Sequence, residues 1–309
     1  MSGLSYQNIE LDWGVDDLIG KMRQLREQSF ETEHRRNPKL PSSKTLETII
    51  DGFGAAMFPR RLGPPDLNNK GIDSFVGHTL NTVLFELYKQ IQCELQFISE
   101  NLTDQEAHDK AVAITQEFAT HLPKVRETLD SDIKAAFEGD PAARVAYEVL
   151  VCYPGIKAVI HHRLAHILYK LGVPLVARII SDIAHSATGI DIHPGAQVGN
   201  SFFIDHGTGV VIGETAIIGN HVRIYQAVTL GAKSFRKDED GIIVKGEPRH
   251  PIIEDDVVIY AGATVLGRIT VGKGSSIGGN VWLTHSVPPN SNVSQAKART
   301  ELFGDGTGI

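Results

Sequence analysis

Cysteine, long apolar runs and excess positive charge are all scarce in this chain of 309 residues. Its two cysteines, Cys93 and Cys152, each lie in an apolar helical pattern, which is too little cysteine for the disulfide framework of a small secreted protein. We therefore expect buried, inert thiols in a reducing compartment and a cytoplasmic protein.

No apolar run approaches the ~18 residues that a membrane-spanning helix needs. Residues 1–30 carry acidic side chains instead of a basic, apolar leader, so no signal peptide is expected. The chain has 30 basic and 37 acidic residues and a net charge of −7, which argues against a nucleic-acid partner. The length favours about two globular domains.

A six-residue period organises the second half of the chain. A short period repeated this often indicates a solenoid, in which each unit buries its apolar side by stacking on the next. Six residues fit a short strand and a corner, and neither a helix nor a plain alternating strand. The periodic aliphatic residues are Ile192, Val198, Ile204, Ile212, Ile218, Ile224, Leu230, Ile253, Ile259, Val265, Val271, Ile277 and Leu283.

Two interruptions of this period are the candidate places for function. Between Ile204 and Ile212 the step is eight residues, and Asp205-His206-Gly207 lies there. The second interruption is an extruded loop over 231–250, which ends in Arg249-His250. Polar, glycine-bearing interruptions of a regular scaffold are where binding and catalysis are usually placed.

Residues 1–189 are expected to be helical. Thr103 and Glu106 have the spacing of a capping box, Pro123 suits the first turn of a helix, and Asp140 before Pro141 is typical of an N-cap. The histidines of this half are interpreted as structural or surface residues. The predicted helices cover about 15–30, 45–57, 76–98, 103 onward, 124–138, 141–152, 155–171 and 174–187.

The repeats resemble those of the hexapeptide-repeat acyltransferases, and residues 139–290 resemble the bacterial and plant serine O-acetyltransferases. The matching runs include Asp140-Pro141-Ala142, His162-Arg163-Leu164-Ala165-His166, Asp191-Ile192-His193-Pro194-Gly195-Ala196, Asp205-His206-Gly207-Thr208-Gly209, Gly213-Glu214-Thr215 and Gln226-Ala227-Val228-Thr229-Leu230-Gly231. The resemblance implies an N-terminal α-helical domain over 1–189, a left-handed parallel β-helix over 190–290 and a tail over 291–309. It also implies transfer of acetyl from acetyl-CoA to the hydroxyl of L-serine in cysteine biosynthesis.

His206 is the expected general base of that reaction. Asp191 lies fifteen residues earlier, about one coil away in this family, and stacked strands are about 4.8 Å apart, so a contact between the two is plausible. A carboxylate on one ring nitrogen would fix the tautomer and raise the basicity of the other. The alternative is that Asp191 and Asp205 only close turns. His250 is expected to be a second imidazole that assists or holds the substrate.

Serine presents a carboxylate and an ammonium to the enzyme. Arg249 suits the carboxylate through its planar fork, while by resemblance Asp140 and Asp205 take the ammonium. Glu214, which is polar and near the first interruption, is placed with them in the substrate site.

Acetyl-CoA is the expected co-substrate, and no metal is needed because serine attacks it directly. Small residues, Gly231 and Ala263, are expected to line its cleft. Its anionic phosphates need local cations. The candidates are Lys233, Arg268, Lys273, Lys297 and Arg299.

The resemblance implies trimers with active sites between neighbouring prisms, and two trimers joined by their helical domains. L-Cysteine, which has the head groups of serine, is expected to be a feedback inhibitor. The end Gly304-Asp305-Gly306-Thr307-Gly308-Ile309 resembles the family terminus that inserts into O-acetylserine sulfhydrylase. Two features depart from the family: the loop over 231–250 is longer, and residues 294–299 lack its Gly and Pro.

Three other functions remain open from the residues. The first is an acetyltransferase of the same fold that acts on a sugar or another small hydroxyl acceptor. The second is a carbonic-anhydrase-like zinc site, for which His193, His206 and His250 lack the expected spacing. The third is a non-catalytic scaffold, which the interruption at Asp205-His206 disfavours.

Overall fold

The computed structural model describes residues 13–28, 39–99, 101–234 and 238–295. Within these residues the chain is helical up to Thr188 and is built from short strands from Asp191 onward. No described helix has an apolar stretch long enough to cross a membrane. The helices are α1 (Val15–Glu27), α2 (Ser43–Met57), α3 (Pro59–Leu62), α4 (Ile72–Ile98), α5 (Asp104–Gly139), α6 (Ala146–Cys152), α7 (Pro154–Lys170) and α8 (Pro174–Thr188).

The strands are two or three residues long, because each is one side of a polygonal coil. They are β1 (Asp191–Ile192), β2 (Gln197–Val198), β3 (Phe203–Ile204), β4 (Val211–Ile212), β5 (Ile217–Ile218), β6 (Arg223–Ile224), β7 (Thr229–Gly231), β8 (Ile252–Ile253), β9 (Val258–Ile259), β10 (Thr264–Leu266), β11 (Thr270–Val271), β12 (Ser276–Ile277), β13 (Trp282–Leu283) and β14 (Asn292–Val293).

Three parallel sheets form the faces of a triangular prism. Face A has the order β1-β4-β7-β10-β13, face B has β2-β5-β8-β11, and face C has β3-β6-β9-β12-β14. The chain runs from face A to B to C and back to A, so one circuit is one coil. This is the left-handed parallel β-helix that the hexapeptide resemblance implied, and the prediction is confirmed.

The periodic aliphatic residues fill the prism. Each of the thirteen lies in a strand, and all except Val198, which is half-buried, have almost no exposed surface. Only one side of each strand faces the prism interior, so one large apolar residue per strand supplies its core. The buried residues of the helices join them in one continuous hydrophobic core.

The B–C and C–A corners of the prism use left-handed backbone. Of the described residues that are not glycine, those with a φ between 55° and 60° all lie at the B–C or C–A corners of the prism. Such a conformation costs about 1–2 kcal/mol for a residue with a Cβ. It turns the side chain outward at a tight corner. These residues are Ser201, His206, His221, Ala227, Asp256, Asn280 and Asn290.

Two of the helix predictions are wrong. Pro123 lies inside α5, which continues unbroken for 36 residues and begins at the expected capping box of Thr103 and Glu106. A buried apolar stripe on both sides of the proline holds the helix together despite the lost hydrogen bond. Asp140 is the C-cap of α5, because its N–H donates to the Ala136 carbonyl. It is not a helix N-cap, because the next helix begins only at Ala146; its carboxylate accepts from the Ala142 N–H in the intervening turn.

The cysteine prediction also needs correction. Both cysteines are free thiols, but Cys152 is exposed at the end of α6 and Cys93 is only half-buried. In α6 the buried face consists of Val149 and Leu150, so Cys152 falls on the outer side of this short helix.

A buried ion pair fixes α5 and α7 to the prism. The guanidinium of Arg163 donates to both carboxylate oxygens of Asp132, at 2.6 and 2.8 Å. The same guanidinium donates to the Gly199 carbonyl, and Asp132 accepts from the Phe202 N–H. Both charges are thereby satisfied, so the end of α5 is held at a fixed place beside face C.

Candidate active site

His206 lies at the C–A corner where the step of eight residues interrupts the repeat. Its backbone has a φ of 59°, and 71% of its side chain is exposed. Gly207 follows with a φ of 85°, and a Cβ there would come within 2.4 Å of Ile190. The two extra residues therefore form a tight, outward corner that presents an imidazole to solvent.

Two carboxylates lie beside this imidazole. Asp205 has one oxygen 3.7 Å from Nε2 of His206, and its other oxygen accepts from Arg223 at 2.5 Å. Asp140 approaches from the end of α5. The O–H of Tyr153 donates to Asp140 at 2.5 Å, which lowers the pKa of Asp140 and raises the pKa of Tyr153 to about 12.

Asp191 does not form an ion pair with His206 in this chain. It opens β1 and is in register with Val211 of β4. Within the part of the chain that the structure describes, the carboxylate within 4 Å of the His206 ring is that of Asp205.

Four other site candidates lie at the A–B corner. His193 follows β1, Glu214 follows β4, and Arg249-His250 precede β8, so they occupy successive coils of one edge. Glu214 accepts from Arg249 at 2.6 Å and from Tyr169 of α7 at 2.9 Å. Burial raises the pKa of Glu214, but these two donors outweigh it, and the net shift is downward.

His250 is held as a neutral hydrogen-bond donor. Its Nδ1 accepts from the Thr215 N–H at 3.1 Å, so its proton is carried on Nε2. Burial is the main reason that its pKa falls to about 4, with Arg249 adding to it. Its ring packs on Gly213, where any Cβ would come within 2.1 Å of it. Burial lowers the pKa of His193 to about 4 as well.

The chain thus carries its site candidates in two separate groups. Asp140, Asp205 and His206 meet at the C–A corner, whereas Glu214 and Arg249-His250 meet at the A–B corner. Face A lies between the two corners. A single chain therefore does not bring together His206, the expected base, and Arg249, the residue expected to bind the carboxylate of serine.

The candidates for the acetyl-CoA cleft are divided in a similar way. Gly231 and Ala263 lie on or beside neighbouring strands of face A, and Lys233 packs against Gly267 close by. Arg268 is at the A–B corner and donates to the Thr215 and His250 carbonyls. Lys273 is instead at the B–C corner, 3.3 Å from Asp256. Lys297, Arg299 and Ile309 are outside the described residues, as are residues 235–237 of the long loop.

Sequence reasoning missed four residues that organise these corners. Tyr153, Tyr169 and Arg223 each bind one of the candidate carboxylates, and Thr215 holds His250. Thr215 was inside a matched motif, but the other three lie in helix ends or outward strand positions, which have no distinctive pattern.

The described residues contain no group of three or more His, Cys, Asp and Glu side chains placed to hold a metal ion. His161 and His162 are buried on α7, and burial lowers the pKa of both imidazoles. Both are therefore neutral parts of the helical core.

A hexapeptide prism with an imidazole at an interrupted corner defines the class of the chain as an acyltransferase of the hexapeptide-repeat type. The family model for bacterial transferase hexapeptide (six repeats) matches residues 250–285. A plasmid-encoded serine acetyltransferase of Synechococcus elongatus is 52% identical and aligns over 97% of each chain. A serine acetyltransferase of Mycobacterium tuberculosis is 51% identical over 52% of this chain and 67% of its own length.

Solved structures agree. The crystal structure of Entamoeba histolytica serine acetyltransferase isoform 3, in complex with cysteine, has a TM-score of 0.72 and 34% identity, covering 94% of this chain and 96% of that one. The Neisseria gonorrhoeae serine acetyltransferase in complex with serine has a TM-score of 0.53 and 28% identity, covering 83% and 97%. The chain belongs to the serine acetyltransferase family, and the resemblance in its sequence is confirmed.

Proposed function

We propose that this enzyme transfers the acetyl group of acetyl-CoA to the hydroxyl of L-serine, giving O-acetyl-L-serine for cysteine biosynthesis, with His206 as general base. The observation that carries this proposal is the exposed imidazole of His206 beside the carboxylates of Asp205 and Asp140. A base that must reach a substrate hydroxyl needs such an accessible ring nitrogen.

In the proposed reaction, His206 takes the proton of the serine hydroxyl while the serine oxygen attacks the thioester carbonyl carbon of acetyl-CoA. The C–S bond breaks, and the CoA sulfur leaves and recovers the proton from the imidazolium. Asp191 orients His206 once substrate fills the corner, since catalytic contacts often tighten only in the complex. No cysteine acts as a nucleophile in this scheme.

Recognition of serine uses charges from both corners. Asp140 and Asp205 bind the ammonium at the C–A corner, next to His206. Arg249 binds the carboxylate and is pre-oriented by Glu214. Because the two groups are on different corners of one prism, we propose that Arg249 and His250 come from a neighbouring chain, as in a trimer. A dimer of such trimers, joined through the helical domains, is the larger assembly we propose.

His250 is proposed to donate a hydrogen bond from Nε2 to the substrate. A neutral imidazole whose Nδ1 already accepts from Thr215 has only this donor to offer. It therefore stabilises negative charge on oxygen and does not compete with His206 for the proton.

Acetyl-CoA is proposed to lie along face A, between the two corners. Gly231, which has no side chain, is proposed to let the pantetheine chain approach the backbone of face A, and Lys233 supplies a cation close by. Ala263 has no exposed surface and belongs to the prism core, so it does not line this surface. Arg268 braces His250 and offers a second charge. Lys297 and Arg299 continue the basic set in sequence, whereas Lys273, at another corner, fits this role less well.

L-Cysteine is proposed to compete with serine for the same site. The relative from E. histolytica was crystallised with cysteine and that from N. gonorrhoeae with serine. The two amino acids share the ammonium and carboxylate that Asp140, Asp205 and Arg249 are proposed to bind.

The Ile309 carboxylate is proposed to dock in O-acetylserine sulfhydrylase, with backbone N–H groups of the partner as ligands.

The test is an acceptor panel with purified enzyme, acetyl-CoA and release of the free CoA thiol as the readout. L-Serine should give rapid thiol release and a product heavier by one acetyl group. A sugar acceptor and a reaction without acceptor should give only background hydrolysis. Thiol release that depends on the sugar and not on L-serine would contradict the proposal and support the alternative acceptor.

A further inference from the structure

Arg223 connects the two parts of the molecule that meet beside His206. It opens β6 on face C, one coil above Asp205. Its Nη2 donates to Asp205 at 2.5 Å, and its Nη1 donates to the Gly139 carbonyl at 2.7 Å. Gly139 is the last residue of α5, and Asp140 follows it directly. One guanidinium therefore holds the prism carboxylate and the helix end at a fixed separation.

Aromatic rings fix the plane of this guanidinium. It lies 4.8 Å from the ring centre of Phe203 and 4.7 Å from that of Tyr225. Gly139 fits against the same group, because a Cβ there would be 3.1 Å from Phe203 and 3.5 Å from Arg223. A planar fork between rings loses little further freedom when it forms two hydrogen bonds.

The charges of Asp140, Asp205 and Arg223 leave a net negative charge at this corner. Asp140 and Asp205 are two carboxylates, and the one positive charge of Arg223 acts on both: Arg223 donates to Asp205, and its charge helps to lower the pKa of Asp140. The remaining charge of −1 matches the single positive charge of an ammonium group. Asp205 offers its second oxygen toward His206, since Arg223 occupies the first. Asp140 is held separately by Tyr153 and the Ala142 N–H.

We propose that Arg223 is a positioning residue for amino-acid recognition, acting through Asp205 and the Gly139–Asp140 step, so that the acceptor must carry an ammonium group. This proposal rests on the proposed serine acetyltransferase function. Arg223 does not contact the reacting atoms. It sets the distance between the two carboxylates and prevents their mutual repulsion from widening the pocket.

The experiment compares Arg223→Gln and Arg223→Lys with the wild-type enzyme in steady-state acetyl transfer. Because Arg223→Gln loses charge-assisted hydrogen bonds, we expect its KM for L-serine to rise about 10- to 100-fold. The Lys variant keeps the charge and one contact, so it should recover part of that loss. KM for acetyl-CoA should stay within about twofold and kcat within about fivefold, because His206 and face A are untouched.

A second readout separates recognition from general damage. The preference for L-serine over 3-hydroxypropionate, which has the hydroxyl and carboxylate but no ammonium, should fall about tenfold or more in Arg223→Gln. A loss of stability alone would reduce activity with both acceptors equally and leave that ratio unchanged.

Arg126→Gln is the matched control. Arg126 also pairs with a carboxylate, Asp130, donates to a backbone carbonyl and stacks on an aromatic ring at 4.1 Å, but it does so in the helical domain. The KM of the Arg126→Gln enzyme for L-serine should equal that of the wild type. An unchanged serine KM and acceptor ratio in Arg223→Gln would overturn the inference while the wild type still acetylates serine. Failure of the wild type to use serine would instead overturn the proposed function.

Discussion

The Nδ1 atom of His250 accepts a hydrogen bond from the backbone N–H of Thr215, at 3.1 Å. This backbone contact defines the tautomer of a buried imidazole at the A–B corner, and burial brings its pKa down to about 4. The neutral, donating form of His250 is therefore built into the fold and does not depend on the substrate.

The low pKa of His250 predicts a pH-dependent stability. In the unfolded chain a histidine takes up its proton near pH 6.5, while in the folded chain His250 does so near pH 4. The unfolded state therefore binds more protons in this window, and the contribution of His250 to the free energy of unfolding is lost as pH falls from 6.5 to 4.

The measurement is urea unfolding of wild type and His250→Asn from pH 7.5 to 4, at one protein concentration. Asn keeps an acceptor for the Thr215 N–H but does not titrate. The free energy of unfolding of the wild type minus that of the variant should therefore fall as the pH falls. His221→Asn, a change at an exposed corner histidine, is the control. A difference between wild type and His250→Asn that is constant with pH would contradict the assignment.

Tyr153→Phe should weaken serine binding. The tyrosine O–H fixes one oxygen of Asp140 at 2.5 Å, and its loss leaves the proposed ammonium ligand free to rotate. We expect the KM for L-serine to rise about 3- to 10-fold with kcat nearly unchanged. Steady-state kinetics with each substrate varied would measure this. A rise confined to the KM for acetyl-CoA would contradict the placement of Asp140.

Arg249→Lys should weaken L-serine and L-cysteine by a similar factor, about tenfold or more, because a lysine does not reproduce the bidentate fork. Glu214 pairs with Arg249 at 2.6 Å, so Glu214→Gln should produce a smaller change of the same kind. The measurements are the KM of serine and the inhibition constant of cysteine. An effect on serine alone would mean that the two ligands do not share a pocket.

Sharing of the site between chains can be tested by complementation. His206→Ala disables the part of the site that the C–A corner contributes, and Arg249→Ala disables the part that the A–B corner contributes. Each variant alone should therefore be almost inactive. Co-expressed in equal amounts, they should recover about a quarter of the wild-type activity, since one site in four combines two intact halves in a closed ring. The control is His206→Ala with Asp205→Ala, which damage the same corner and should not complement. No recovery in the first mixture would contradict a shared site.

The prism was predictable because its physics is local and repeated. A strand of two residues and a tight corner leave one inward position per strand, so residues such as Ile212 and Val265 must recur with the same spacing. The step of eight residues at His206 was visible for the same reason. Handedness came from the resemblance, as general strand preferences favour the opposite hand for parallel crossovers.

The helical half and the supporting contacts were less predictable. Pro123 marks a helix start in isolation, yet burial of the stripe around it keeps α5 continuous. The role of Asp140 as a C-cap depends on where that helix ends, and thus on packing. Arg223 is an outward residue of a two-residue strand, and only the fold shows that it meets Gly139 from 84 positions earlier.

The most direct test of His206 as the base is the turnover of His206→Ala beside that of His221→Ala. His221 is the matched histidine, since it also sits at a left-handed corner, is exposed, and has a carboxylate, Asp256, 3.6 Å away. With saturating acetyl-CoA and L-serine, His206→Ala should lose about 10²- to 10⁴-fold in kcat and still bind acetyl-CoA, while His221→Ala should match the wild type. A kcat of His206→Ala within about threefold of the wild type, far short of the loss expected for a missing base, would contradict the mechanism.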